Sequence, residues 1–113
     1  MYEIYFYRDG RGTEPVKQYL EALAKKKAKA DRTKLNKIRD YIALLKQFGL
    51  SLGEPYIKHI QGDLWELRPL RDRIFFAAYN KNGFVLLHHF VKKTNKTPKR
   101  EMKIAESRYR ELV

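Results

Sequence analysis

The spacing of apolar residues changes near the middle of the chain, and this change limits the possible folds more than any other feature. In the first half, apolar residues recur every three or four positions: Leu35, Ile38, Ile42, Leu45 and Phe48. This spacing puts them on one face of a helix, which Gly49 is placed to end. The second half instead contains short runs of aromatic and branched residues, at Leu64–Leu67, Arg73–Tyr79 and Phe84–Val91. Such runs predict the strands of an antiparallel sheet.

Turn and cap signals complete the order of elements. Residues Tyr2–Tyr7 form a further aromatic run that predicts a first strand, and the Asn82–Gly83 pair is typical of a type I′ hairpin turn. Thr13 is the predicted N-cap of a short first helix, and Thr97, followed by Pro98, is the predicted N-cap of a last helix. The sequence therefore predicts an α+β fold of order β-α-α-β-β-β-α. An antiparallel sheet packs against an N-terminal helical hairpin and a C-terminal helix.

The length and charge of the chain indicate how many domains it forms and what kind of partner it binds. The chain has 113 residues, so we expect a single domain over residues 1–113. Lys and Arg number 25 while Asp and Glu number 13, which gives a net charge of +12. This excess predicts a polyanionic partner, either nucleic acid or an acidic protein. The hydrophobic fraction of 43% argues against a disordered basic tail.

The chain lacks the residues that several classes of function need. The chain has no cysteine, which excludes disulfides, thiolate zinc sites and cysteine nucleophiles. Its histidines, His59, His88 and His89, have no metal-ligand spacing, and the adjacent pair is expected on opposite faces of a strand. We therefore expect neither a metal nor a cofactor. Without a long apolar run or a signal-peptide pattern in MYEIYFYRDG, we also expect a cytoplasmic protein with no membrane partner.

Cations are concentrated at the ends of the predicted strands. They are Arg68, Arg71 and Arg73 at one hairpin end, and Lys92, Lys93, Lys96, Lys99 and Arg100 in an acid-free segment after the last strand. These strand ends are expected to lie together, and the N-terminus of the last helix adds a positive dipole. Such a patch is suited to binding and polarising a phosphodiester. The other basic segment, from Lys25 to Arg39, is expected to be a solvated helix face.

The same segments carry a family resemblance. The motifs WELR, RIFF and FVKKTNKTP occur in this order between Leu64 and Arg110. On these motifs the chain closely resembles the phage-derived Gp49-like, HigB-type branch of the RelE/ParE toxin superfamily. The resemblance implies the toxin of a type II toxin-antitoxin pair, a ribosome-dependent mRNA endonuclease that inhibits translation without a metal. The implied partners are the ribosome, mRNA and a HigA-like helix-turn-helix antitoxin.

The resemblance also implies roles for particular residues. In RelE-like toxins an arginine that opens the middle strand contacts the phosphate, and Arg73 of RIFF stands at that position. Arg68 matches a basic residue near the end of the preceding strand, and Lys93 matches one that ends the last strand. Two further residues are expected in the catalytic set from their chemistry and not from the resemblance: His88 as a candidate base and Glu66 as a group that orients the arginines. RNA contacts are expected from Lys58, Arg71, Lys92, Lys96 and Lys99.

Two questions stay open at the level of sequence. The general base is His88 or His89, whichever faces the cleft, or a lysine whose pKa is lowered by cationic neighbours, or Glu66. We favour Glu66 as a group that orients Arg68 or Arg73 by a charge-assisted pair. The alternatives to a nuclease are a ParE-like inhibitor of DNA gyrase, which does not cleave RNA, and a basic binding module.

Overall fold

A computed structural model, which describes residues 1–113, contains one sheet of five strands and three α-helices. The strands are β1 (Glu3–Phe6), β2 (Ile57–Gln61), β3 (Leu64–Leu67), β4 (Asp72–Tyr79) and β5 (Gly83–Val91). The helices are α1 (Pro15–Ala24), α2 (Lys29–Phe48) and α3 (Lys99–Leu112), and a 3-10 turn, Gly49–Leu52, follows α2. The predicted α+β class is confirmed, and it is compatible with a RelE-like fold. None of the helices has the length and apolar composition needed to cross a membrane.

The sheet differs from the predicted one in two respects. Its strand order is β1-β5-β4-β3-β2, and β1 pairs with β5 in parallel, whereas all other neighbours are antiparallel. The edge strand β2 was not predicted, so the true element order is β-α-α-β-β-β-β-α. Only Ile57 of this strand is fully buried, because an edge strand with charged residues has little apolar pattern to detect.

The turn between β4 and β5 is not the predicted type I′ turn. Tyr79 pairs with Gly83, which leaves a three-residue loop in which Asn80 has a φ of 59°. Gly83 instead begins β5 in the interior of the sheet. A Cβ atom there would lie 2.7 Å from the Tyr5 ring and 2.8 Å from the Glu3 carbonyl oxygen. The glycine is therefore required by the close approach of β1.

The predicted helix ends are partly correct. Helix α2 ends at Phe48, and Gly49 follows at a φ of 61°, although its ψ of −147° lies outside the left-handed helical region. The predicted N-caps are wrong. Helix α1 has Glu14 at its N-cap position and α3 has Pro98, and neither forms a side-chain cap bond. Thr97 instead directs its hydroxyl toward Glu66, at 3.5 Å from Oε2.

The two faces of the sheet bury separate apolar cores. Helices α1 and α2 cover one face, whose buried residues include Ile38, Ile74 and Phe76. Helix α3 covers β4 and β5 on the other face through Ala105, which packs with Phe75. Glu66 of β3 pairs in register with Phe75, so its buried carboxylate lies on this same face of the sheet.

Candidate active site

The cations at one end of the sheet line a single cleft, as predicted from the strand ends. Arg68 follows β3, Arg73 is the second residue of β4, and Lys92 follows β5. The Lys92 backbone N–H donates to the Arg71 carbonyl at 2.8 Å. This bond joins the segment after β5 to the turn before β4. The resulting cavity has a volume of about 370 Å³ and is lined by Arg68, Leu70, Arg71, Arg73, Lys92, Lys93, Thr94 and Asn95. We refer to it as the cationic cleft.

One buried carboxylate lies beneath this cleft. Glu66, on β3, is only 1% exposed, and its Oε1 lies 3.5 Å from Arg68 Nε and 3.8 Å from Arg73 Nε. Neither of these two buried Nε atoms forms a hydrogen bond. The contacts are therefore long ion pairs. Arg68 Nη1 also lies 3.7 Å from Oε1 of the exposed Glu54, so two carboxylates face the two guanidinium groups and only Glu66 is buried. We call Glu66, Arg68 and Arg73 the Glu66 cluster.

The guanidinium of Arg73 is held by backbone as well as by charge. Its Nη1 donates to the Leu70 carbonyl at 2.7 Å and to the Asp72 carbonyl at 2.8 Å. Burial lowers the pKa of Arg73, Glu66 raises it, and the neighbouring Arg68 and Arg71 lower it further, with a net lowering. A guanidinium remains charged in spite of such a shift, so Arg73 presents a fixed cation to the cleft.

Lys92 differs from the arginines because its ammonium can lose a proton. Burial lowers the pKa of Lys92, Glu66 opposes this shift, and the positive charges of Arg73, Arg68 and Lys58 reinforce it. The net lowering favours the neutral amine relative to an ordinary lysine. The expected lysine with cationic neighbours therefore exists at this position.

The remaining expected RNA contacts lie around the cleft and do not line it. Lys58 is exposed on β2, where it pairs in register with Glu66. Lys96 is exposed in the segment between β5 and α3, and Lys99 is the exposed first residue of α3. Only Arg71 and Lys92 of the expected RNA-binding set contribute to the cleft wall.

Neither His88 nor His89 lines the cleft, although one of the two was expected to face it. A bulge in β5, where Phe75 pairs with His88 and Phe76 with Leu86, turns both Leu87 and His88 toward α3. There His88 Nε2 lies 2.7 Å from Glu101 Oε1, and Phe75 separates this histidine from Glu66 along the paired strands. Burial lowers the pKa of His88 despite its contact with Glu101.

His89 projects to the opposite face and belongs to a second buried cluster. Its Nε2 lies 2.7 Å from Asp72 Oδ1, and its ring stacks on Tyr19 with centroids 3.6 Å apart. The same oxygen accepts the Tyr19 hydroxyl at 3.0 Å and pairs with Lys34 Nζ at 3.3 Å. Burial favours a raised pKa for Asp72, but the bonds from His89 and Tyr19 outweigh it, so the pKa is lowered. We call these four residues the Asp72 cluster.

Sequence reasoning did not identify the Asp72 cluster or the uncharged cleft residues Leu70, Thr94 and Asn95. The available signal for Asp72 was its place directly before an apolar strand, where an acidic residue has to find a partner when it is buried. No group of three or more histidine, cysteine or acidic side chains is arranged to hold a metal ion.

The comparison with known families connects this geometry to a group of proteins. Residues 18–110 match the family described as Phage derived protein Gp49-like (DUF891). The chain belongs to this Gp49-like family. The family is part of the RelE/HigB-type toxin group, which indicates a toxin-like function. The Gp49-like span contains every residue of the cationic cleft and of both buried clusters. No curated protein matches the sequence.

Proposed function

We propose that this protein is the toxin of a type II toxin-antitoxin pair and that it cleaves mRNA on the ribosome without a metal or cofactor. The observation that carries the proposal is the cationic cleft, in which Arg68, Arg73, Lys92 and Lys93 surround a space large enough for a phosphate group. The five cations that line the cleft have only two carboxylates within ion-pair distance, the buried Glu66 and the exposed Glu54, which leaves an excess of positive charge. A phosphodiester supplies the missing negative charge.

The reaction is an in-line attack of a ribose 2′-oxygen on the adjacent phosphorus. The 2′-oxygen–phosphorus bond forms, the bond from phosphorus to the 5′-oxygen breaks, and the products are a 2′,3′-cyclic phosphate and a 5′-hydroxyl. Arg73 and Arg68 bind the phosphate oxygens and stabilise the charge that grows on them in the transition state. Glu66 does not act on the substrate in this mechanism but orients the two arginines through their Nε atoms.

Proton transfer is assigned to the two lysines of the cleft. Lys92, whose lowered pKa makes the neutral amine more accessible than in an ordinary lysine, accepts the proton of the 2′-hydroxyl from its place in the cleft lining. Lys93, which lines the same cleft, donates a proton to the leaving 5′-oxygen. His88 receives no role in this step because it is bonded to Glu101 outside the cleft.

The cations around the cleft hold the flanking chain of the message. Arg71 in the cleft wall and the exposed Lys58, Lys96 and Lys99 are suited to contacts with neighbouring phosphates. Such contacts set affinity and make it dependent on salt, but they carry no information about sequence. Different residues therefore position the RNA and carry out the cleavage.

A HigA-like helix-turn-helix antitoxin is the proposed inhibitor. Two observations support this partner. The chain belongs to the Gp49-like family of the toxin group, and its net charge of +12 suits fast and tight association with an acidic protein. Expression of the chain alone should arrest growth, and co-expression with the neighbouring small open reading frame should restore it. Harmless expression at high level would contradict the toxin assignment.

The deciding experiment maps 5′ ends of cellular mRNA after brief induction of the wild type and of Arg73→Ala. A ribosome-bound nuclease gives new ends in phase with codons, and these ends should be absent with Arg73→Ala. New ends without codon phase would contradict dependence on the ribosome. Growth arrest with intact mRNA and inhibited DNA supercoiling would instead support the ParE-like alternative.

A further inference from the structure

The turn that joins β3 to β4 contains a leucine in an unfavourable conformation. Residues 69–72 are closed by a hydrogen bond from the Asp72 N–H to the Pro69 carbonyl at 3.0 Å. Leu70 has a φ of 56°, in the left-handed region that side chains rarely adopt, while Arg71 has no positive φ. Glycine is usual at that position because a Cβ atom is strained there. Leu70 therefore weakens the turn that it occupies.

The leucine side chain also contributes little to the core, because it is 53% exposed. The backbone conformation has a clear purpose, since the Leu70 carbonyl accepts from Arg73 Nη1 at 2.7 Å. Glycine would supply the same carbonyl with less strain. The side chain itself is thus unexplained by folding and by the position of Arg73, and strain of this kind is concentrated at functional sites.

Its location indicates what the side chain contacts. Leu70 is the one apolar residue of the cleft lining, which otherwise consists of five cations, Thr94 and Asn95. Charged groups recognise phosphates, which are the same at every nucleotide, so they cannot distinguish one position of a message from another. If the arginines bind the phosphate of a single-stranded RNA, an apolar side chain beside them lies within reach of the face of an unstacked base.

We propose that Leu70 packs against the nucleobase that adjoins the scissile phosphate, and that it thereby fixes which phosphate enters the cleft. This role rests on the proposed ribonuclease function and adds a contact that determines specificity. Leu70 acts on binding and register of the RNA, whereas Arg73 and the lysines act on the phosphate. Removal of the side chain should therefore change affinity and cut positions more than the rate of the bound complex.

The test compares Leu70→Gly with Leu70→Met and with Leu50→Gly, a matched change of an exposed leucine outside the cleft. Single-turnover cleavage is measured over a series of concentrations of ribosomes programmed with a defined mRNA. For Leu70→Gly we expect the half-saturating concentration to rise about tenfold, the maximal rate to stay near wild type, and the cut positions to become more varied. Leu50→Gly should behave as the wild type, and Leu70→Met, which keeps an apolar side chain, should give a lower half-saturating concentration than Leu70→Gly. A thermal melt of Leu70→Gly should show no loss of stability, because glycine relieves the strain.

Each other outcome overturns the proposal. Wild-type half-saturation and cut positions for Leu70→Gly would show that the side chain does not contact RNA, while cleavage by the wild type in the same assay would leave the ribonuclease function standing. A fall in maximal rate alone would assign Leu70 to support of Arg73. Unchanged cleavage with weaker neutralisation by the antitoxin would make the leucine a protein contact. Absence of cleavage by the wild type itself would remove both proposals.

Discussion

Two carboxylates are almost completely buried at the same end of the sheet, and their surroundings differ in a way that separates folding from function. Asp72 and Glu66 are each 1% exposed. Asp72 accepts short bonds from His89 and Tyr19 and pairs with Lys34, so its charge is compensated by groups from three elements. Glu66 has only contacts of 3.5 Å or longer, and its two arginines keep Nε atoms without a hydrogen bond.

The difference follows from what covers each face. Helices α1 and α2 close the face of Asp72, so its partners are fixed and the cluster joins these helices to the sheet. On the other face the chain beyond β5 leaves the cationic cleft open above Glu66. A closed cluster with satisfied hydrogen bonds contributes to stability, whereas an open cluster with excess positive charge is suited to the anionic ligand that we propose for the cationic cleft.

The largest effect is expected at Lys92, the one cleft residue with a lowered pKa whose charged form can lose a proton. Lys92→Arg keeps the charge but cannot accept a proton, so cleavage should slow by about a thousandfold, or about 4 kcal/mol. The wild-type rate should increase with pH as Lys92 loses its proton. It should level off below the pH range usual for lysine, because the pKa of Lys92 is lowered. Single-turnover rates across pH test this. Lys96→Arg, outside the cleft, is the control, and an unchanged profile in Lys92→Arg would exclude Lys92 as the base.

Arg73→Ala tests the charge that is fixed in the cleft. Loss of a preorganised cation should cost about 3 kcal/mol of transition-state stabilisation, roughly a hundredfold in rate. Its stability in urea should change little, because the open cluster keeps Arg68 to compensate Glu66. A variant that is inactive only because it no longer unfolds cooperatively would indicate a structural role for Arg73.

Asp72→Asn tests the closed cluster and should act on stability. Loss of the charge that His89 and Lys34 contact should lower the free energy of unfolding by about 2 kcal/mol. The pKa of Asp72 is lowered by folding, so its contribution is present above the usual aspartate pKa of about 3.9 and is lost as pH falls through the folded value. Urea titrations should therefore show wild type and Asp72→Asn converging in acid. Parallel curves at every pH would contradict this account.

The smallest effect is expected far from both carboxylates. Lys25, Lys26, Lys27 and Lys29 are exposed around the start of α2, so their joint change to Gln should weaken ribosome binding by about 1 kcal/mol or less. The dependence of binding on salt should also flatten, while the rate of the bound complex stays near wild type.

Lys93→Gln, by contrast, should lower the rate of the bound complex with little loss of ribosome binding. A wild-type rate for bound Lys93→Gln would show that the end of β5 is not part of the site.

Local patterns predicted much of the fold and only part of the site. The bounds of β3 and the end of α2 followed from runs and spacing within one element, and the clustering of Arg68, Arg73 and Lys92 followed from their places at strand ends. The edge strand β2 was missed because its side chains are mostly polar and exposed.

The Asp72 cluster was missed for a different reason. Its partners come from α1, α2 and β5, and the Tyr19 hydroxyl that it accepts lies 53 positions away in sequence. No local pattern brings such residues together. The orientation of His88 toward α3 likewise depends on a bulge in β5, which pairing with β4 determines and the sequence of β5 alone does not.

The most direct test of the division between the two carboxylates measures Glu66→Gln and Asp72→Asn side by side, by urea unfolding and by single-turnover cleavage at saturating ribosomes well below the unfolding temperature. We expect Glu66→Gln to cleave about tenfold more slowly, with its free energy of unfolding within about 1 kcal/mol of wild type. We expect Asp72→Asn to be less stable by about 2 kcal/mol but to cleave at the wild-type rate. A slow, fully stable Asp72→Asn together with a destabilised, fully active Glu66→Gln would show that the two carboxylates have the opposite roles.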